Sequence, residues 1–178
     1  MPGSRHGDTI AGVPWFRRKR KRSVELPWIE LSCGGEYPLE VHGESFHQPV
    51  ILALVNAHDP QIDGDRIRAE FLVGLAREPD NPHDANAVVV AALSGHALGH
   101  IPRDLAAGYS RALVTAGRHV RVACRARAYG RRIGRGWNIG IWLAMPDADD
   151  LNSVLVDAIA NLDGASAGAT LVKRDIET

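Results

Sequence analysis

Arg77-Glu78-Pro79-Asp80-Asn81-Pro82-His83-Asp84-Ala85-Asn86-Ala87 is the stretch on which the reading of this chain turns. Proline lacks a backbone N–H and fixes φ, so Pro79 and Pro82 exclude a helix interior or a central strand. Pro79-Asp80 and Asn81-Pro82 are turn dipeptides, and the residue ahead of each proline is pushed towards extended backbone. The stretch is therefore a stiff loop between two runs that read as buried strands. Polar side chains held by rigid backbone in such a place tend to form binding sites. His83 offers a base or donor, Asp84 a charged acceptor, and Asn86 an amide that donates and accepts. The contending reading is a proline-stiffened hairpin loop in which Asp84 and Asn86 cap backbone groups.

The flanks specify the fold. Before the loop, Arg66 to Glu78 alternates, with Ile67, Ala69, Phe71, Val73 and Leu75 on one side and Arg66, Arg68 and Glu70 on the other. That is a long half-buried strand. After it, Ala87 to Val90 is apolar on both faces and reads as a central strand. Ser94-Gly95 turns the chain into a hairpin strand from His96 to Ile101. Pro102 then opens a helix whose stripe is Leu105, Tyr109, Leu113 and Ala116, closed by Gly117. Arg118 to Tyr129 alternates again, pointing Val120, Val122, Cys124, Ala126 and Ala128 inward and Arg121, Arg125 and Arg127 outward. Cys124 thus reads as a small core residue. Trp137 to Met145 is the last strand.

Further out, Glu36 to Val41 is a short strand, and Ser45 is placed to cap a helix running through Phe46 to Val55, with Pro49 in its first turn. Asn56 to Asp65 reads as a loop. Asp149 to Leu162 has the spacing of an amphipathic helix, which either covers the sheet or docks a partner. The whole predicts an α+β domain of about six strands with two intervening helices and a C-terminal helix, most simply a small curled sheet or barrel. Residues 1–35 read as a flexible basic arm, 36–146 as the domain, and 147–178 as the C-terminal helix and acidic tail.

The formal net charge is zero over 178 residues, but the charges are segregated. Arg17 to Arg22 is an unbroken basic run behind Trp15-Phe16. Between Arg118 and Arg135 every charged residue is an arginine, whereas acids gather near the C-terminus. Basic stretches interrupted by Tyr129 and Trp137 suit a polyanion with stackable bases. The contending reading is a set of solubilising arginines on an outer sheet face. No run has the length of a membrane span and no secretory signal is present. The two cysteines lack a CxxC partner, which points to a reducing compartment. The expected location is cytoplasmic, and nucleoid-associated if the source is bacterial.

Three segments together resemble the HIRAN domain family over roughly residues 39 to 145: Gly43-Glu44-Ser45-Phe46, the 77–88 run ending in Val88, and Leu98-Gly99-His100-Ile101-Pro102. The resemblance implies an OB-like barrel that binds single-stranded DNA and captures its free 3′-hydroxyl end, as a DNA repair or replication module. Carried across, it implies that Asp84 accepts the hydrogen bond of the terminal hydroxyl. It implies that Phe46 stacks on the terminal base, that His83 packs beside it, and that His100 and Asn81 stand near the backbone phosphate. It implies a further stacking position for Trp137. Ser45 stands where relatives can carry Arg, and Arg125 and Arg127 are candidates to supply phosphate contacts in compensation.

Two other classes compete. His83, Asp84, His96 and His100 would have to cluster for a metal-dependent phosphodiester hydrolase using zinc or magnesium, yet no HxxxH helix or paired carboxylates accompany them. Otherwise no cofactor is implied. A protein-interaction adaptor would use the C-terminal helix. No ATPase motif is present, so any fork-remodelling partner would be a separate helicase or ATPase.

Overall fold

The computed structural model describes residues 26–33, 35–117, 120–163 and 172–175. The basic run at 17–22 and the stretch 164–171 lie outside these. The described strands are β1 (Trp28–Ser32), β2 (Leu39–Glu40), β3 (Gln61–Asp63), β4 (Arg66–Arg77), β5 (Val88–Ala92), β6 (Ala97–His100), β7 (Arg121–Ile133), β8 (Gly136–Leu143) and β9 (Val172–Asp175). The helices are α1 (Gln48–Asn56), α2 (Arg103–Ala116) and α3 (Ala148–Asp163).

Two long strands build the centre. On β4 the alternating residues from Ile67 to Leu75 are buried while Arg66, Arg68 and Glu70 face out. β7 lies antiparallel to it, with Phe71 opposite Ala126 and Val73 opposite Cys124. Large residues of one strand thus meet small residues of the other. Cys124 is fully buried, and desolvation pushes its thiol far above the ordinary range, as expected for a packing residue. β5 is buried on both faces: Val88 and Val90 join the main core, Val89 and Ala91 a smaller cluster with Ala76 and Ala97.

The sheet order is β2-β8-β7-β4-β5-β6, and it curls until its edges meet. Val41 N–H donates to Ile141 O at 2.9 Å, and His42 and His100 exchange backbone hydrogen bonds of 2.9 and 2.8 Å. The result is a curled six-stranded antiparallel barrel of α+β class, as the periodicities predict, and OB-like, as the resemblance implies. The seam requires glycine at 99: a Cβ there would stand 2.5 Å from Val41 Cγ1 and 2.6 Å from His42 O.

α3 packs against α2, and its buried face joins the main core. Its stripe Leu151, Leu155 and Ala158 is buried, and Asp147 caps it by accepting the Asp149 and Asp150 N–H groups at 3.0 and 2.9 Å. Tyr109 on α2 donates to Pro146 O at 2.6 Å, and burial pushes its phenol up to about 12.

Five expectations need correction, the first being Leu105, which the spacing places in the buried stripe of α2 but which is 43% exposed. Residues 28–32 are not part of a loose arm: β1 runs parallel to both β7 and β9, with Ile29 and Leu31 fully buried. The five-residue alternation was masked by the basic composition before it. Ser45 caps no helix. Gly43, at φ 87°, leads into a 3-10 turn at Glu44–Phe46, and α1 starts at Gln48 with His47 as its cap. The segment taken as a loop holds β3, paired to β4. β7 runs on to Ile133, past the expected end at Tyr129.

Gly99→Ala should force the seam apart and cost about 1–3 kcal/mol, as overpacking does. A denaturant midpoint equal to the parent's would show that the seam tolerates the methyl group.

Candidate nucleic-acid interface

The seam sets out the site. Beyond His42 the chain turns at Gly43 into the 3-10 turn, which holds Phe46 86% exposed. A bare phenylalanine forgoes roughly 1.5–3 kcal/mol of burial, so its position asks for a reason. The turn itself is firmly held. Glu44 Oε1 accepts the Ile141 N–H at 3.3 Å. Gln48 Oε1 accepts the Ile139 N–H at 2.9 Å, and its Nε2 donates to Ile139 O at 2.8 Å. The Gln48 amide thus stands in for a strand residue and lengthens the ladder along β8. Burial raises the Glu44 carboxyl above its ordinary value; burial, and secondarily the charge of His100, lowers His47.

On the other side of the seam is the proline-stiffened loop. Glu78 N–H donates to Ala87 O at 2.9 Å, closing the neck, and Arg77 Nε donates to Ser110 Oγ of α2 at 2.8 Å. Asn81 Oδ1 accepts from the His83 and Asp84 N–H groups at 3.0 and 3.3 Å, while its Nδ2 donates to Glu78 Oε2 at 3.0 Å. The same Glu78 oxygen meets His100 Nε2 at 2.9 Å. Glu78 therefore ties the loop to β6. Nothing in the spacing singles it out, because its partner lies 22 residues away along the chain.

Asn81, His83 and Asp84 thus share one loop, His100 joins them through Glu78, and the Phe46 turn follows from His42, the backbone partner of His100. His83 is exposed. Asp84 is half-buried, and its Oδ1 accepts the Asn86 N–H at 2.8 Å. The capping reading therefore holds for one carboxylate oxygen, Oδ1. Asn81 is spent on the loop's own backbone, so its first role is to shape the loop.

Arg125 and Arg127 stand on the outer sheet face, and the structure engages both. Arg125 Nε lies 3.3 Å from Oε1 of the buried Glu30. Arg127 bonds Glu70 Oε1 at 2.8 and 2.9 Å and stacks 4.0 Å from the Tyr37 ring centroid. The arginine strip is interleaved with acids from β1 and β4 that the β7 sequence alone does not contain. Trp137 packs half-buried against the core, with the Arg132 guanidinium 5.0 Å from its ring centre. His83, Asp84, His96 and His100 do not gather. His96 Nδ1 pairs with Ser94 Oγ at 3.2 Å, and among the described residues no three His, Cys, Asp or Glu side chains stand close enough to hold a metal. No helix among those residues is long and apolar enough to cross a membrane.

A family model for the HIRAN domain matches residues 50–135, the segment from α1 through the β7–β8 turn. This chain carries a HIRAN domain. A 36-residue stretch is 50% identical to the mouse helicase-like transcription factor, covering 20% of this chain and 4% of that protein. The chain therefore spans only a small part of that relative. Among solved structures, a protein from Lactobacillus plantarum is 22% identical, with 59% of this chain and 88% of its own covered at a TM-score of 0.33. The HIRAN domain of human HLTF is 17% identical, with coverages of 64% and 85% and a TM-score of 0.26.

Two outcomes follow for this site. Glu78→Ala should release both Asn81 and His100, speeding hydrogen exchange at the His83 and Asp84 amides and costing about 1–3 kcal/mol; unchanged exchange would mean the loop is held without it. Below the ordinary imidazole value of 6.5 the unfolded chain takes up a proton that folded His47 resists. Stability should therefore fall as pH drops through that range. His47→Asn should lose less between neutral and mildly acid pH, read from thermal melts.

Proposed function

We propose that this HIRAN domain is a non-catalytic module that binds single-stranded DNA and receives its free 3′-hydroxyl end, serving DNA repair or replication. The family is one of DNA-binding modules, and the finer reading rests on one observation above the rest. Phe46 is bare, on a turn fixed to β8 from one side, at the seam that leads to His100 and the Asn81–Asp84 loop. Aromatic faces are sequence-tolerant platforms for bases. A carboxylate with one oxygen already committed to its loop offers the other to a sugar hydroxyl, and repels a phosphate in the same place. His83 flanks that carboxylate, and His100, oriented by Glu78, faces the backbone side of the end nucleotide. A helicase or ATPase acting with this module would be a separate partner.

The reading is tested with labelled single-stranded oligonucleotides carrying a free 3′-hydroxyl or a 3′-phosphate. The free end should bind about ten- to a hundredfold more tightly, as a hydrogen bond to a charged group allows. Asp84→Ala should erase the difference, and Phe46→Ala should weaken both. Equal binding of the two ends by the parent chain removes end recognition.

A further inference from the structure

The outer face of β7 and β8 carries an aromatic array that the end site does not use. Tyr129 and Trp142 meet edge to face, with ring centroids 5.7 Å apart and an interplanar angle of 67°. The Arg68 guanidinium lies 5.7 Å from the Tyr129 ring centre, and Arg127 donates to Tyr129 Oη at 3.4 Å. Gly140, directly opposite Tyr129 in the ladder, makes room for the indole: a Cβ there would stand 2.8–2.9 Å from Trp142 ring atoms. Tyr129 is 42% exposed and Trp142 half-buried.

These two rings floor a groove of about 920 Å³. Arg66 and Arg68 of β4 line one side, and Glu44, Ser45 and Gln48 the other. Glu44 and Ser45 belong to the same turn as Phe46, so the groove begins where the end site stops. We propose that it takes the unpaired nucleotides upstream of the 3′ end, with one or two bases stacked on Trp142 and Tyr129 and the phosphates turned to solvent. This rests on the end-binding reading, since Phe46 is what feeds the strand into the groove.

The charges define how the groove holds its ligand. Arg66, Arg68 and Arg131 are balanced by Glu40, Glu44 and Asp63 in the same lining. Arg68 is also paired to Glu70 at 3.0 Å, and Arg131 to Asp65 at 2.8 Å. A lining without net positive charge gains little from counterion release. It suits flat, uncharged base faces, whose stacking tolerates any sequence. The affinity added by upstream nucleotides is therefore nearly independent of salt.

The test uses the full chain and three labelled ligands sharing one free 3′ end: a dinucleotide, a strand of about eight nucleotides, and the same strand with abasic upstream positions. The intact strand should bind roughly tenfold tighter than the dinucleotide, and that advantage should persist as salt rises. Trp142→Ala should lose about tenfold on the intact strand and nothing on the dinucleotide. Tyr129→Ala, at a more exposed position, should act the same way to a smaller degree. The abasic strand should match the dinucleotide. The proposal is overturned if both variants bind the intact strand like the parent, or if the abasic strand binds as well as the intact one. An intact strand that binds alike with free and phosphorylated ends, yet is weakened by Trp142→Ala, keeps the groove and removes end recognition. No binding of any strand removes both.

Discussion

The candidate site depends on the backbone pair between His42 and His100. Two sheet edges that could each have remained open are joined there, with Gly99 allowing Val41 and the His42 carbonyl to approach. Closing the sheet satisfies edge N–H and C=O groups that would otherwise invite another strand. It also brings the Phe46 turn, which follows His42, next to the strand that carries His100. A loosely joined seam would leave both on separate, drifting edges.

From the seam, order passes through side chains used as pieces of backbone. Gln48 completes the rung that β2 is too short to make, so the chain can leave the sheet at Gly43 without exposing Ile139. A single oxygen of Glu78 collects Asn81 and His100, and Asn81 in turn collects the amides of His83 and Asp84. Such networks are costly to leave half satisfied. Their completeness explains how a polar loop on the surface keeps one shape, with the two prolines removing the remaining freedom.

Charge follows the same logic. Arginines that the β7 sequence presents as a free cationic strip are met across the ladder by Glu70 and from β1 by Glu30. The outer face becomes a mosaic in which guanidinium groups lie against aromatic rings, Arg127 on Tyr37 and Arg68 by Tyr129. A strip that looks one-sided along β7 is partly offset in space by acids of β1 and β4.

Period and punctuation carried the long elements. The alternations around Phe71 and Ala126, the doubly apolar Val88–Val90 and the stripe of α3 each bury the residues their spacing marks, because side-chain direction in strands and helices is set locally. The proline-locked loop was likewise legible, as was Cys124 in the core. Other features depend on residues far apart in the chain and leave no local trace. β1 is a strand because β7 and β9 lie beside it; Ser45 misses its cap because Glu44 and Gln48 are drawn to β8. Glu78 matters because the barrel closes, and Trp142 lies flat because Gly140 sits beneath it. Local stereochemistry thus determined the elements and the stiff loop, while closure of the barrel chose which polar groups meet, since a hydrogen bond between distant residues exists only once the backbone has brought them together.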